Sequence, residues 1–113
     1  MEINKILQQN PSLLARASEE AENLRLAWLK EKELLTRLIA SASLQLKPQD
    51  LKATEIKHMV EDNDAIYKKK LEVLILESDY RKKETEIAHL KEELNAVKML
   101  ARIKMTEWET TQR

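Results

Sequence analysis

The sequence predicts an all-α protein, in which two long helices form a helical hairpin with a short connecting helix. Its 113 residues include no glycine and only two prolines, and 35% of them are charged while 4% are aromatic. A β-sheet protein needs glycine at its tight turns, whereas this composition is typical of long helices. Extended helices of this length bury little surface among themselves, so we expect a single domain that assembles into a coiled-coil-like homo-oligomer.

The N-terminal part of the chain is predicted to hold a short segment, residues 1–10, and then a long helix, residues 11–46. Asn10-Pro11 indicates a break between them, because proline is favoured in the first turn of a helix and disfavoured inside one. Apolar or small residues then recur at steps of three and four, the spacing of one helix face. These seam positions, which include the charged Glu31, are Leu14, Ala17, Ala21, Leu24, Trp28, Glu31, Leu35, Leu38 and Ala42.

The connector, residues 47–63, begins where Pro48 ends the first long helix. Thr54 is a plausible N-cap for a short helix inside it. Asn63 suits a left-handed helix end, and Asp64 suits the N-terminal dipole of the next helix. The connector permits an antiparallel hairpin, and equally a more open arrangement completed by other subunits. We favour the hairpin.

The second long helix is predicted over residues 64–110. Its seam runs with the same steps through Val73, Leu76, Tyr80, Lys83, Ile87, Leu90, Leu94, Val97, Ala101, Lys104 and Trp108. Lys83 and Lys104 interrupt this seam. Lys83 is either a solvent-exposed interruption of the seam or a polar residue that sets the register of the helix pairing, and both interpretations stay open. The residues predicted to form the oligomer seam are Trp28, Leu35, Tyr80, Ile87, Leu90, Leu94, Val97 and Trp108.

Residue types needed for catalysis are scarce. The chain has no cysteine and only two histidines, so neither a thiol nucleophile nor a metal site is expected. Without glycine there is no phosphate-binding glycine loop, and no serine lies in a recognisable triad pattern. We therefore expect no enzyme, no catalytic residue and no cofactor. The start of the sequence lacks a signal peptide pattern and no apolar run approaches a membrane span, so we expect a cytoplasmic protein without a membrane partner.

The charges cancel overall, with 20 basic and 20 acidic residues, so any basic site has to be local or repeated by symmetry. Two basic runs, residues 68–70 and 81–83, lie on the second long helix, and the three residues of each run point in different directions around it. A run of this kind is more often a solvated helix flank than a binding site. Repeated around an oligomer, they would form a ring for a phosphate backbone. Lysines in the connector are better placed, because loop residues converge more readily. The candidate DNA-binding residues are Lys47, Lys52, Lys57, Lys68, Lys69 and Lys82.

The connector and the helix after it also carry a family resemblance, over about residues 20 to 103. A long helix ends at Leu46-Lys47, and there follow Thr54-Glu55-Ile56-Lys57, Asn63-Asp64, Tyr67-Lys68, Leu74-Ile75, Glu77, Tyr80 and Ala101-Arg102. This pattern resembles the UvsY-type recombination mediators of tailed bacteriophages.

The resemblance implies a small homo-oligomer that binds single-stranded DNA and acts in the host cytoplasm without catalysing a reaction. It implies contacts with a single-strand-binding protein and with a recombinase, which the mediator helps to load onto coated DNA. Lys47 matches a basic segment that contributes to DNA binding in that family, while Pro48 and Gln49 depart from its more basic pattern. The competing hypothesis is a helical scaffold or adaptor that binds partner proteins and no nucleic acid.

Overall fold

The protein is built from helices throughout the part of the chain that the computed structural model describes, residues 3–112. Helix α1 spans Ile3–Leu46, a single 3₁₀ turn spans Lys47–Gln49, helix α2 spans Ala53–Glu61, and helix α3 spans Asp64–Gln112. No strand occurs within these residues. The predicted all-α class is therefore confirmed.

The chain folds into two compact units. One comprises residues 23–80, and the other combines the part of the chain up to residue 22 with the part from residue 81. Within the first unit α1 and α3 run antiparallel, because Glu31 lies against Lys69 while Trp28, earlier in α1, lies against Tyr80, later in α3. The two long helices thus pair within one chain, as the hairpin interpretation expects.

The predicted seams supply the contacts between α1 and α3 in each unit. Every seam position from Leu14 to Ala42 and from Val73 to Ala101 is buried or half-buried. Two alanines and one valine are the most enclosed of these, with exposed fractions of 3% for Ala17, 6% for Ala21 and 0% for Val97. Small residues let two helix backbones approach closely, so the observed packing follows from the spacing read in the sequence.

The seam positions near the end of α3 are not covered within the chain. Lys104 and Trp108 continue the spacing, yet both are exposed, and Trp108 keeps 65% of its surface. The spacing of these residues satisfies the pattern, but no helix within the described chain covers them. Assembly of several chains through the seam stays a prediction.

The predicted break at Asn10-Pro11 is wrong, because α1 continues through Pro11 without interruption. Ile3 and Ile6 are half-buried and Asn10 is buried, and these positions extend the spacing of the α1 seam backwards. Proline inside a helix costs about 3 kcal/mol through its missing N–H and its steric clash. Burial of the apolar Ile3 and Ile6 offsets part of that cost, and Pro11 itself lies on the exposed side of the helix.

Helix α2 begins two residues earlier than expected, at Ala53, so Thr54 is not its N-cap. Lys52 precedes the helix with extended backbone angles, φ −66° and ψ 150°, and its side chain makes no capping hydrogen bond. The carbonyl oxygen of Lys52 accepts the first helical hydrogen bond from the Ile56 N–H, at 3.0 Å. The backbone angle at Lys52, rather than a hydroxyl side chain, starts the helix.

Asn63 caps α3 instead of ending α2 in a left-handed conformation. Its side-chain oxygen Oδ1 accepts the N–H groups of Ala65 at 2.9 Å and Ile66 at 3.2 Å. Among the described residues, the one with a left-handed backbone conformation is Asp50, with φ 53° and ψ 38°. Asp64 lies in the first turn of α3, where its charge favours the helix dipole as expected.

Within residues 3–112, no helix has an apolar stretch long enough to cross a membrane. In α3 the charged residues recur throughout its 49 residues.

Candidate nucleic-acid interface

The six candidate DNA-binding lysines differ in how much of their charge is accessible. Five of them are exposed, and the side chain of Lys69 keeps only 26% of its surface. Three exposed lysines belong to the connector and two to α3. They are Lys47, Lys52, Lys57, Lys68 and Lys82.

Lys69 is held by two carboxylates. Its Nζ lies 2.7 Å from Oε2 of Glu31 on α1 and 3.0 Å from Oε2 of Glu72 on α3. The hydrogen bond to Glu31, and then the one to Glu72, raises the pKa of Lys69 above its ordinary value. The charge of Lys69 is thus already compensated within the chain, which weakens the prediction that it contacts a phosphate.

Lys83, the polar residue in the seam, makes the equivalent arrangement in the other unit. Its Nζ lies 2.7 Å from Oε2 of Glu20 and 2.9 Å from Oε2 of Glu86. The hydrogen bond to Glu20 is the largest cause of the raised pKa of Lys83, and it lowers the pKa of Glu20 in return. A seam lysine that binds a partner across the helix pair favours the register-setting interpretation over a solvent-exposed interruption.

An open pocket lies where α1, α2 and α3 meet in the unit of residues 23–80. Its volume is about 320 Å³, and we call it the connector pocket. Its apolar lining comes from Ile39 on α1 and from Ile56 and Val60 on α2. Two lysines reach it, Lys57 from α2 and Lys70 from α3. The remaining lining residues are Ser43, Ala53 and Glu61.

Lys70 is the residue that sequence reasoning missed. It belongs to the basic run 68–70 but was not among the candidates, although its neighbour Lys69 was. A signal existed in the spacing, because Lys70 follows the fully buried Ile66 by four residues and precedes the buried Val73 by three. That spacing turns Lys70 towards the packed side of α3, where it is half-buried.

The charge around the connector is mixed. Residues 47–64 contain three lysines and five carboxylates, a formal balance of 3 − 5 = −2. The connector pocket differs, because Lys57 and Lys70 face a single carboxylate, Glu61, and the balance there is 2 − 1 = +1. A second pocket of about 270 Å³, lined in part by Gln45, Met59 and Asn63, contains no lysine or arginine among its lining residues.

Aromatic residues offer little support for base stacking at the seam. The rings of Trp28 and Tyr80 stack on each other, with centroids 5.8 Å apart and planes inclined by 23°. The Nζ of Lys32 lies 5.5 Å from the centre of the Trp28 ring. The Trp28 ring is thereby engaged by both Tyr80 and Lys32. Tyr67, next to Lys68, is exposed at 57% and remains accessible.

Within residues 3–112, no group of three histidine or carboxylate side chains is arranged so that it could hold a metal ion. Comparison of the chain with protein-family models, with curated proteins and with solved structures gives no match in any of the three. The function therefore has to be argued from the residues and their geometry.

Proposed function

We propose that this chain is a non-enzymatic recombination mediator that binds single-stranded DNA as a homo-oligomer. In this proposal it helps a recombinase to load onto DNA coated by a single-strand-binding protein. The observation that carries the proposal is the convergence of Lys57 and Lys70, from two different helices, on one apolar pocket. The resemblance to UvsY-type mediators supports it from the sequence.

Backbone electrostatics are the basis of the proposed binding. One connector pocket carries a small positive balance, so a single chain would bind a phosphate backbone weakly. Several chains would present several such pockets to one strand, and the exposed Lys47, Lys52 and Lys68 would add to each. The exposed seam residue Trp108 is where we propose that the chains meet.

Fluorescence anisotropy with a labelled oligonucleotide tests this proposal. Binding of the single strand should exceed that of the duplex, and it should weaken steeply as salt rises, because phosphate contacts release counterions. The double variant Lys57→Ala/Lys70→Ala should bind more weakly and show a shallower salt dependence. The matched control is Lys91→Ala/Lys98→Ala, which removes two exposed lysines of α3 that do not line the pocket. Equal losses in both double variants would contradict a site at the connector pocket.

Recombinase loading needs a second assay. The recombinase and the single-strand-binding protein from the same source as this chain are mixed on an oligonucleotide, and filament formation is followed with and without the chain. A mediator shortens the delay that the single-strand-binding protein imposes. An unchanged delay, measured with a chain that does bind the oligonucleotide, would leave DNA binding in place and refute mediation.

A second candidate function is a helical adaptor that binds protein partners and no nucleic acid. It is favoured by an exposed apolar surface on α3, where Tyr67, Leu71, Leu74 and Ile75 keep between 42% and 60% of their surface. Exposed apolar patches of this kind often mark protein contacts. No binding of single-stranded DNA even at low salt would favour the adaptor over the mediator.

A further inference from the structure

We propose that the connector pocket receives one unstacked base of the bound single strand, while Lys57 and Lys70 hold the adjoining phosphate. This inference rests on the proposed function and specifies what its site recognises. It makes the pocket a nucleotide subsite and not only a local concentration of positive charge.

The lining of the pocket suits a flat, weakly polar group. Ile39, Ile56 and Val60 present aliphatic side chains, and Val60 is itself 7% exposed. A volume of about 320 Å³ is at the lower end of the range for ligand pockets, about 300 to 1,000 Å³. Proteins that take a base out of its stack commonly enclose it between apolar or aromatic side chains. The connector pocket offers such walls from two helices.

The charged residues lie where a nucleotide would need them. Lys57 is exposed and Lys70 is half-buried, and both line the pocket beside its apolar residues. A base that enters the pocket carries its phosphate to the rim, where the two lysines outnumber the one carboxylate of Glu61. This arrangement combines an apolar site and a cationic rim at a single position on the chain.

The pocket should distinguish strands more strongly than sequences. Its one hydroxyl group, Ser43 Oγ, already donates to the Ile39 carbonyl oxygen at 2.9 Å, so its proton is committed to the backbone. Aliphatic walls read no hydrogen-bond pattern, and we therefore expect little preference among bases. A base that is paired in a duplex has to be unstacked and unpaired before it can enter, which favours the single strand.

The test compares a short thymidine oligonucleotide with an abasic strand of the same length and charge. Both carry the same phosphates, so their difference in affinity measures the contribution of the bases. We expect the abasic strand to bind about 5-fold more weakly, the lower end of the effect of a base stacked on an aromatic side chain, because the walls of this pocket are aliphatic. Equal affinities at the same low salt would overturn the inference while leaving the proposed DNA binding intact.

A pocket-filling variant locates this difference. Ala53 lines the pocket and is exposed at the first position of α2. Ala53→Leu therefore fills part of the pocket without creating a steric clash in the core. It should reduce thymidine binding to the abasic level and leave abasic binding unchanged. The control Ala96→Leu changes an exposed alanine of α3 outside the pocket and should have no effect on either strand.

The remaining results distinguish failure of the base-binding subsite alone from failure of the proposed DNA binding. Far-UV circular dichroism establishes that both leucine variants keep the helical content of the parent chain. A folded Ala53→Leu variant that still prefers the thymidine strand would show that the bases bind elsewhere. If the parent chain binds neither strand at low salt, the proposed function fails together with the subsite.

Discussion

Replacing Leu94 by alanine should test how α1 and α3 pack more directly than any other single change. Leu94 keeps 9% of its surface and lies three residues from the fully buried Val97. Truncating a buried leucine to alanine costs about 2 to 5 kcal/mol, through lost burial and the cavity left behind. Because a small part of Leu94 already contacts water, we expect about 2 to 3 kcal/mol.

The control is Leu100→Ala, in the same helix and the same unit. Leu100 keeps 44% of its surface, so its truncation should cost less than about 1 kcal/mol. Urea unfolding followed by far-UV circular dichroism measures both. With a denaturant dependence of about 1 to 3 kcal/mol per molar urea, the Leu94→Ala midpoint should fall by about 0.7 to 3 M. Equal costs for the two variants would refute the described packing of this unit.

Three further predictions concern capping, ion pairing and aromatic exposure. Asn63→Ala should lower the free energy of unfolding by about 1 kcal/mol, and Asn63→Asp, which keeps a capping oxygen, should lose much less in the same urea titration. Glu20→Gln should destabilise the chain at neutral pH, and the difference in unfolding free energy should vanish on acidification. Lys83 lowers the pKa of Glu20 in the folded chain, so the Glu20 carboxylate stabilises the fold above its ordinary pKa of about 4.3. That stabilisation is lost as the pH falls through the lower pKa that Glu20 has in the folded chain. A gap between the two unfolding curves that persists in acid would exclude this cause. In dilute protein, acrylamide should quench the exposed Trp108 more than the half-buried Trp28, measured in variants that retain one tryptophan each; protection of Trp108 at higher concentration would indicate contact between chains there.

Local patterns predicted most of the helices correctly. The end of α1 at Leu46 and the start of α3 at Asp64 match the predicted bounds, because proline and acidic capping sequences act on the residues beside them. The failure at Pro11 has a tertiary origin. The sequence rule considers one residue, whereas burial of the apolar Ile3 and Ile6 acts over several turns and prevails.

The candidate site depends on tertiary contacts more than the helices do. The sequence points to Lys57 through its place in the connector and to Lys69 in the basic run 68–70, whereas the structure places Lys70 beside Lys57 and two carboxylates against Lys69. These outcomes depend on which residues of α1 and α2 lie opposite each lysine. The partners are distant in sequence, since Glu31 and Lys69 are 38 residues apart.

The sequence by itself determined the all-helical class, the connector and the two apolar seams, because helix propensity and a period of three to four residues act within a few turns of the chain. Only the tertiary structure decided that the seams pair within one chain up to Ala101 and leave Trp108 exposed, that Lys83 binds Glu20 across the pair, and that Lys57 and Lys70 share a pocket. These features depend on the register in which the two antiparallel helices pack against each other. That register is set by the summed packing of many side chains, and no local spacing in the sequence specifies it.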